Sequence, residues 1–320
     1  MARKQIDSAI LAKIESSYGI DPTPTGVANA MRVYGQSVEP LNINYVPNEY
    51  LKGYAGGHAE LVGTIMKKVS FSVDLAGSGA AGTAPAYGPL LRACAFAEAI
   101  SAGARVEYTP VSAAEESVAI YYYDSGVLYK LLGARGDFEL DMTSGNKPAL
   151  KFNFIGIDAG VVATGSTPAT TLTGFKDPLV VTNPNTADVL LGCTYATGAL
   201  SSGTAYPSKG LNFKTGNNPQ HDTLLGGETI TIDRKGVTGS IELDLSAAQE
   251  VTFEGYVRGA ILNSLGLVHG TTDGYKVLVY APSCQLKNPK PTYTNGQRRT
   301  TYDVSALPSA GNDDLRIVVL

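Results

Sequence analysis

The chain contains no tryptophan, only three cysteines and three histidines, and no long apolar run. Its cysteines, Cys94, Cys193 and Cys284, stand far apart and form no C-x-x-C pair. An odd, widely spaced set predicts buried thiols in a reducing compartment rather than a disulfide framework. With so few histidines, we expect no zinc site built from cysteine and histidine ligands.

The sequence also lacks the signals of membrane insertion, secretion and nucleic-acid binding. No segment approaches the roughly 18 apolar residues that suggest a membrane span. Lys13 and Glu15 stand where a signal peptide would be apolar, so we expect no leader. The net charge is −4 and the basic residues are scattered. A protein that binds nucleic acid by its phosphates needs a basic face, so this class is disfavoured.

Glycine and tyrosine are abundant instead. There are 36 glycines and 18 tyrosines among 320 residues, and valine, threonine and tyrosine recur in short alternating runs. This composition predicts a mainly β protein with many turns. The strands predicted in the first half are 32–38, 41–45, 64–75, 117–123, 127–132, 137–142 and 150–157.

Apolar spacing predicts three helices. A short amphipathic helix or arm is expected over 5–17, because isoleucines recur there at every fourth position. A second helix is expected over 87–99. A third is expected within 249–266, where apolar residues form a stripe suited to lie on a sheet.

The sequence contains an internal repeat. Residues 40–75 align without gaps to 210–245, with identities at eight of 36 positions. In the first copy the identical residues are Leu41, Asn42, Asn48, Gly56, Gly57, Ser70, Asp74 and Leu75. Such self-similarity indicates a duplicated unit. We predict two tandem domains of one fold, over 30–165 and 186–320, preceded by an N-terminal arm (1–29) and joined by a linker (166–185).

One glycine-rich segment matches the G-x-G-x-x-G pattern of dinucleotide-binding loops. It runs from Gly77 through Gly79 to Gly82, between a predicted strand and a predicted helix. Pro85 and Pro89 follow where free N–H groups would have to hold a phosphate. The second copy of the repeat has no such loop. We interpret the segment as a flexible connection and predict no nucleotide or other cofactor.

Other candidates for chemistry have simpler explanations. The adhesion-like tripeptide from Arg135 to Asp137 is interpreted as part of a hairpin. Asp137, Glu139 and Asp141 alternate with apolar residues, which predicts the solvated face of a strand rather than a pair of catalytic acids. No catalytic constellation emerges, so the protein is not predicted to be an enzyme.

Six segments are distinctive beyond their predicted secondary structure. They are "LAKIESSYGIDPTPTGVANAM" (11–31), "FSVDLAGSGAAGTAPAYGPLLRACAFAEA" (71–99), "VEYTPVS" (106–112), "GVLYKLLGARGDFELDM" (126–142), "LVHGTTDGYKVLVYAPSCQLKNP" (267–289) and "SAGNDDLRIVVL" (309–320). Together they resemble the tail tube (major tail) proteins of long-tailed bacteriophages. The resemblance covers nearly the whole chain and departs over 191–210, which is interpreted as a longer, more polar loop.

The resemblance implies β-sandwich or barrel domains, each flanked by one helix, whose inner strands join around a ring. Rings would stack into the conduit for DNA ejection, and the DNA would pass without specific binding. The implied location is the virion, after assembly in the host bacterial cytoplasm. The implied partners are further copies of the chain, the tape measure protein, the tail terminator and baseplate proteins, with no role for a membrane.

Three points stay open from the sequence. Two copies of one domain predict a ring of three chains, and a ring of six chains with one domain outside is the alternative. A tail terminator or a baseplate tube protein of the same fold is the first alternative function. A β-sandwich binding module is the second.

A set of acidic residues is predicted to line the lumen, because an acidic wall would not hold the phosphates of DNA. Asp74 and Asp244 are the first candidates, since they occupy matching positions of the repeat. A shared role in capping a turn explains the match equally well. Asp137, Glu139 and Asp141 are the second candidates.

Two long excursions, over 42–63 and 212–229, are predicted to order against the neighbouring ring and to carry stacking, with a disordered surface loop as the alternative. The candidate residues in them are Asn48, Tyr50, Tyr54, Gly56, Gly57, Asn218, Gly226 and Gly227.

Overall fold

The computed structural model describes residues 7–320, so the first six residues of the predicted arm lie outside the described residues. Within 7–320 the chain forms nineteen strands and three helices, α1 (Gly26–Asn29), α2 (Gly88–Arg92) and α3 (Ala247–Arg258). The strands of the first half are β1 (Ser8–Ile14), β2 (Ala30–Met31), β3 (Tyr34–Val46), β4 (Leu61–Asp74), β5 (Phe96–Ser101), β6 (Arg105–Pro110), β7 (Val118–Asp124), β8 (Val127–Thr143) and β9 (Ala149–Ala163). Those of the second half are β10 (Val189–Ala196), β11 (Ala199–Tyr206), β12 (Ser208–Lys214), β13 (Asn217–Leu224), β14 (Gly227–Arg234), β15 (Val237–Leu243), β16 (Leu262–His269), β17 (Val277–Thr294), β18 (Gln297–Leu307) and β19 (Arg316–Val319). The predicted mainly β class is confirmed.

Eight strands form one continuous antiparallel sheet, which we call the wall sheet. Its order is β3-β4-β9-β8-β12-β15-β18-β17. The first four strands come from the first half of the chain and the last four from the second half. The two halves join where β12 pairs with the end of β8, from Gly210 opposite Thr143 to Lys214 opposite Glu139.

A second layer packs against one face of the wall sheet. It contains β1 paired with β7 and β10 paired with β16. The hairpin β5–β6 also crosses between the halves, because Tyr108 of β6 pairs with Ile317 of β19. Buried side chains from both halves share one large core cluster, and a second, smaller cluster forms around Leu11 and Tyr121. In the large cluster, Phe253 of α3 packs against the ring of Tyr302, with centroids 5.6 Å apart.

The strand order of the first half recurs in the second half. The run β1-β7-β8-β9-β4-β3 is matched by β10-β16-β17-β18-β15-β12. Each run ends in the four strands that its half contributes to the wall sheet. The sheet and the core nevertheless continue across the two halves, so the division into domains at 30–165 and 186–320 stays a prediction.

The strand pairing also shows that the repeat contains an insertion. The alignment places Lys68 of β4 on Thr238 of β15, 170 positions later. Lys68 pairs with Glu39 of β3, whereas Thr238 pairs with Lys214 of β12. Glu39 and Lys214 are 175 positions apart. The identities at Leu41 and Asn42 therefore do not join equivalent strand positions.

One of the predicted helices is wrong, and a second is shorter than predicted. The segment 5–17 contains strand β1 instead, in which Ile10 and Leu11 are buried in succession. A spacing of four also fits strand alternation, and a strand buried on both faces shows no polar stripe to distinguish the two. The helix over 87–99 ends at Arg92, because Ala95 takes a φ of 61° and β5 follows. Helix α3 is confirmed, and it starts with a capping box from Ser246.

Two predicted loops are strands. The polar stretch 191–210 forms the hairpin β10–β11, which turns at Thr197 and Gly198, both with positive φ. The tripeptide at Arg135 lies in the continuous strand β8, next to an irregularity in its pairing with β9. The Arg135 guanidinium donates to the carbonyl of Ile230 at 2.8 Å, so this tripeptide is a packed part of the sheet.

The glycine-rich loop serves close packing between the two halves. The Gly79 N–H donates to the Gly274 carbonyl at 2.8 Å. A Cβ on Gly77 would lie 2.0 Å from that same carbonyl oxygen, a distance no side chain tolerates. The glycines are therefore required by backbone contact rather than by flexibility or by a phosphate.

Candidate assembly surface

The two faces of the wall sheet differ in their surroundings. In β4, Val69 and Phe71 are buried in the core, whereas Ser70 and Ser72 point to the opposite side and are partly exposed. We call this second side the open face. Strand register places on it eight acidic and seven basic residues. The acids are Glu39, Asp74, Asp137, Glu139, Asp141, Glu242, Asp244 and Asp303, and the bases are Lys68, Arg135, Lys151, Lys214, Lys287, Lys290 and Arg299.

All five predicted lumen acids lie on the open face. Asp74 is the least available, since its carboxylate accepts a hydrogen bond from Lys147 at 2.8 Å and lies 3.5 Å from Arg32. The bond to Asp74 raises the pKa of the Lys147 ammonium. Asp244 follows β15 directly and is exposed. The two aspartates thus lie on the same face but differ in how far neighbouring basic side chains neutralise their charge.

The three acids on β8 are interleaved with polar and basic neighbours. Asp137 is almost fully covered and accepts a hydrogen bond from the Asn153 amide at 3.1 Å. Asp141 accepts from the backbone N–H of Thr143 at 3.0 Å. Glu139 lies between Lys151 of β9 and Lys214 of β12 in the ladder. Cross-strand neighbours of opposite charge stabilise a sheet and reduce its net field.

The wall sheet ends in two unpaired edges. Among residues 7–320, β3 pairs only with β4. After Gln285, β17 has a partner in the described chain only on its β18 side. An edge strand offers a row of free N–H and C=O groups to another chain. The resemblance implied strands that join around a ring, but sequence reasoning did not identify β3 and β17 as the edge strands.

The first predicted excursion is an exposed loop. Residues 47–60 lie between β3 and β4 and contain Asn48, Gly56 and Gly57. The aromatic side chains of Tyr50 and Tyr54 are largely exposed, and Leu51 between them is fully exposed. An apolar loop tip of this kind is a feature of a contact surface.

The second excursion is an ordered hairpin, β13–β14, so the two excursions differ in structure. Asn218 lies on β13, Gly226 forms the tip with a φ of 94°, and Gly227 begins β14. Leu224 and Leu225 are exposed at the tip. Within residues 7–320, no strand pairing joins this hairpin to the wall sheet, but side chains hold its base.

The hairpin base is fixed to the wall sheet at Asn217. The Asn217 amide donates to the carbonyl of Cys94 at 2.7 Å and to that of Gly136 at 3.1 Å. At the other strand, Arg234 forms an ion pair of 2.6 Å with the buried carboxylate of Asp314. The hairpin therefore projects from a rigid base with an apolar tip.

The described residues also bear on metal sites, membrane spans and reactive thiols. No group of three or more potential metal ligands occurs in residues 7–320. None of the helices in that part of the chain is long and apolar enough to span a membrane. Burial raises the pKa of the Cys94 thiol well above its usual value and that of Cys284 to about 12, so neither cysteine is a ready nucleophile.

Comparison with known proteins agrees with this description. No curated protein sequence matches the chain. A family model described as "Phage tail tube protein" matches residues 5–306, which include every strand of the wall sheet except the last residue of β18. The chain therefore belongs to the phage tail tube protein family and is a structural component of the virion that assembles into a tail tube.

Proposed function

We propose that the chain polymerises as stacked rings into the conduit for DNA ejection, and that each ring closes where the edges of neighbouring wall sheets pair. The observation that carries this proposal is the single eight-stranded sheet, whose edges at β3 and at the end of β17 have no further strand partner among residues 7–320. Two different edges make a head-to-tail contact, and such contacts generate closed rings when the rotation between subunits closes.

The continuity of the wall sheet supports a ring of three chains. With eight strands from each chain, a strand spacing of about 4.8 Å and a tilt of about 40°, the ring has a radius of about 24 Å at the backbone. A ring of six chains with all strands in the wall would double that radius. Placing one half of each chain outside the ring would require the β8–β12 pairing to open.

The open face then lines the lumen. Its eight acids and seven bases nearly balance, Lys147 and Arg32 further neutralise Asp74, and the bases are interleaved with acids. A wall without a basic stripe does not release the counterions condensed on the DNA phosphates, so it gains no binding energy from them. DNA therefore slides without specific binding. The exposed loop over 47–60 and the β13–β14 hairpin are proposed to contact the next ring.

Further partners follow from the position of a tube in a phage tail. The tape measure protein would occupy the lumen before DNA, and the tail terminator and baseplate proteins would bind the two ends. Assembly would take place in the host bacterial cytoplasm.

Negative-stain electron microscopy of the purified protein tests the function. We expect tubes of constant width whose averaged cross-section has three-fold symmetry. Single rings that do not stack would instead indicate a tail terminator or a baseplate tube protein. A protein that stays monomeric at high concentration would contradict the proposal.

A further inference from the structure

We infer that the β3 edge of one chain pairs antiparallel with the β17 edge of a second copy, in a register that places Glu39 opposite Lys290. This inference rests on the proposed ring and adds to it the register and the charge pair that select it. The template is the β8–β12 junction inside each chain, where two repeat units already meet edge to edge.

The first step identifies the position that Glu39 occupies. Lys68 and Thr238 are equivalent residues of β4 and β15, and their partners on the next strand are Glu39 and Lys214. Glu39 on the free β3 edge therefore stands where Lys214 stands on β12. Lys214 is the residue that faces Glu139 across the junction within the chain.

The second step identifies the counterpart of Glu139. Ser72 of β4 pairs with Lys151 of β9, which pairs with Glu139 of β8. In the second half the equivalent of Ser72 is Glu242, which pairs with Thr301 of β18.

Thr301 in turn pairs with Lys290 of β17. Lys290 on the free β17 edge thus stands where Glu139 stands on β8. By the same correspondence, Ser37 stands for Asn212 and Thr292 for Asp141, and Asn212 faces Asp141 across the junction within the chain.

The junction between chains therefore repeats the junction within a chain with the charges exchanged. Lysine on β12 faces glutamate on β8, and glutamate on β3 faces lysine on β17. Glu39 is the only charged residue of β3, and the β17 segment from 286 to 294 carries only Lys287 and Lys290. Pairing of unlike edges matches opposite charges, whereas pairing of two β3 or two β17 edges brings like charges together.

The backbone of β17 makes the side-chain pair more important. The Phe138 carbonyl of β8 accepts a hydrogen bond from the Thr215 N–H. Every second residue of β8, counted from Phe138, therefore directs its backbone N–H and C=O groups across the junction. Pro291 occupies the position of Leu140 in the same set, and it has no N–H to donate. Proline at an edge blocks indiscriminate strand addition. The edge is left with fewer ladder bonds and a greater dependence on charge.

Charge reversal tests the pairing. Glu39→Lys and Lys290→Glu each turn an opposite pair into a like pair, and we expect each to raise the critical concentration for tube formation about tenfold. The double variant restores an opposite pair and should assemble near the wild-type concentration. Glu254→Lys on α3 is the matched control, because this helix lies on the core side of the wall sheet. A double variant as defective as the single variants would overturn the pairing.

Cysteine cross-linking tests the register directly, since the three native cysteines are buried. We expect Ser37→Cys combined with Thr292→Cys to form chain-to-chain disulfides in tubes, because opposite residues bring Cβ atoms within bonding range. Ser37→Cys with Thr294→Cys, one step off register, should cross-link at least tenfold less. Equal cross-linking of both pairs, or cross-linking of Ser37→Cys alone, would overturn the register.

The two levels of proposal fail separately. Wild-type protein that forms no tubes contradicts the proposed function. Wild-type tubes in which the Ser37 and Thr292 cysteines do not cross-link contradict this edge pairing and leave the tube function intact.

Discussion

Lys67 of β4, which has no exposed surface, forms an ion pair with Asp158 of the neighbouring strand β9. Its ammonium also donates to the carbonyl oxygens of Gly160, at 2.7 Å, and Lys130, at 3.1 Å. The equivalent residue in the second half is Val237, which is buried without any charge. The ion pair is thus a local feature of the first half and not a requirement of the repeated sheet.

Removing the acid should therefore cost more than removing the base. Asp158→Ala leaves a buried ammonium without its counter-ion, and we expect a loss of about 2–4 kcal/mol in the free energy of unfolding. Lys67→Met replaces the charge with an apolar chain of similar length and should cost about 1 kcal/mol. Urea unfolding of the two variants measures both values. The reverse order would show that the lysine is needed for its hydrogen bonds rather than tolerated as half of a pair.

Deletion of residues 47–57 should abolish tubes and leave the fold intact. Val46 already pairs with Leu61, so the remaining residues 58–60 can close a short hairpin. All deleted residues except the half-buried Asn48 are exposed, so they contribute little to the core. Circular dichroism would check the fold and electron microscopy the tubes.

A milder change locates the effect within that loop. Leu51→Ser keeps the loop length and removes its most exposed apolar side chain, and it should weaken stacking without abolishing it. Normal tubes from the deletion variant would show that ring stacking does not use this loop.

A lysine on the open face should make the tube hold DNA. Asp244 is exposed and lies on that face, so Asp244→Lys replaces a negative charge with a positive one and changes the net charge of the proposed lumen by +2 per chain. We expect duplex DNA to be retained by the variant tubes at low salt and released as salt rises. Glu254→Lys changes the charge equally on the other side of the sheet and serves as the control. DNA retention by the control alone would place the open face outside the lumen.

Stability should fall on acidification through His269. The Leu179 carbonyl can only accept, so His269 Nε2 donates to it at 3.1 Å, and Nδ1 then accepts from the Thr186 hydroxyl at 2.8 Å. Burial lowers the pKa of this imidazole below its ordinary 6.5, although the bond to Leu179 opposes the shift.

The sign follows from proton binding. Below pH 6.5 the unfolded chain takes up the proton more readily than the folded one, so stability is complete above that pH and declines as pH falls toward the folded pKa. Thermal melts between pH 7.5 and 5 should show this decline in stability, because histidine titrates in that range. His269→Gln, which keeps a donor for Leu179 and does not titrate, should flatten this part of the profile. An unchanged profile would assign the acid sensitivity to other groups.

The alternation of apolar and polar residues predicted strand positions correctly where one face of the strand is buried and the other is not. The predicted strand over 64–75 lies within β4 except for its last residue, which follows β4 directly. The predicted strand over 150–157 lies within β9. The same rule failed at β1, because a strand buried on both faces has no alternation. It also failed over 191–210, where a polar hairpin is stabilised by its pairing rather than by burial of its own side chains.

The sequence by itself determined the β class, the existence of a repeat and the family, since each depends on composition, periodicity or identity between residues along the chain. Tertiary structure alone decided the rest. Hydrogen bonding between distant strands set the true register of the repeat, joined the two halves at β8 and β12, and left β3 and β17 as the free edges. Glu39 and Lys290 are ordinary surface charges in the sequence, and only the strand register of the wall sheet makes them counterparts in the proposed junction, because register is a relation between strands that no local pattern encodes.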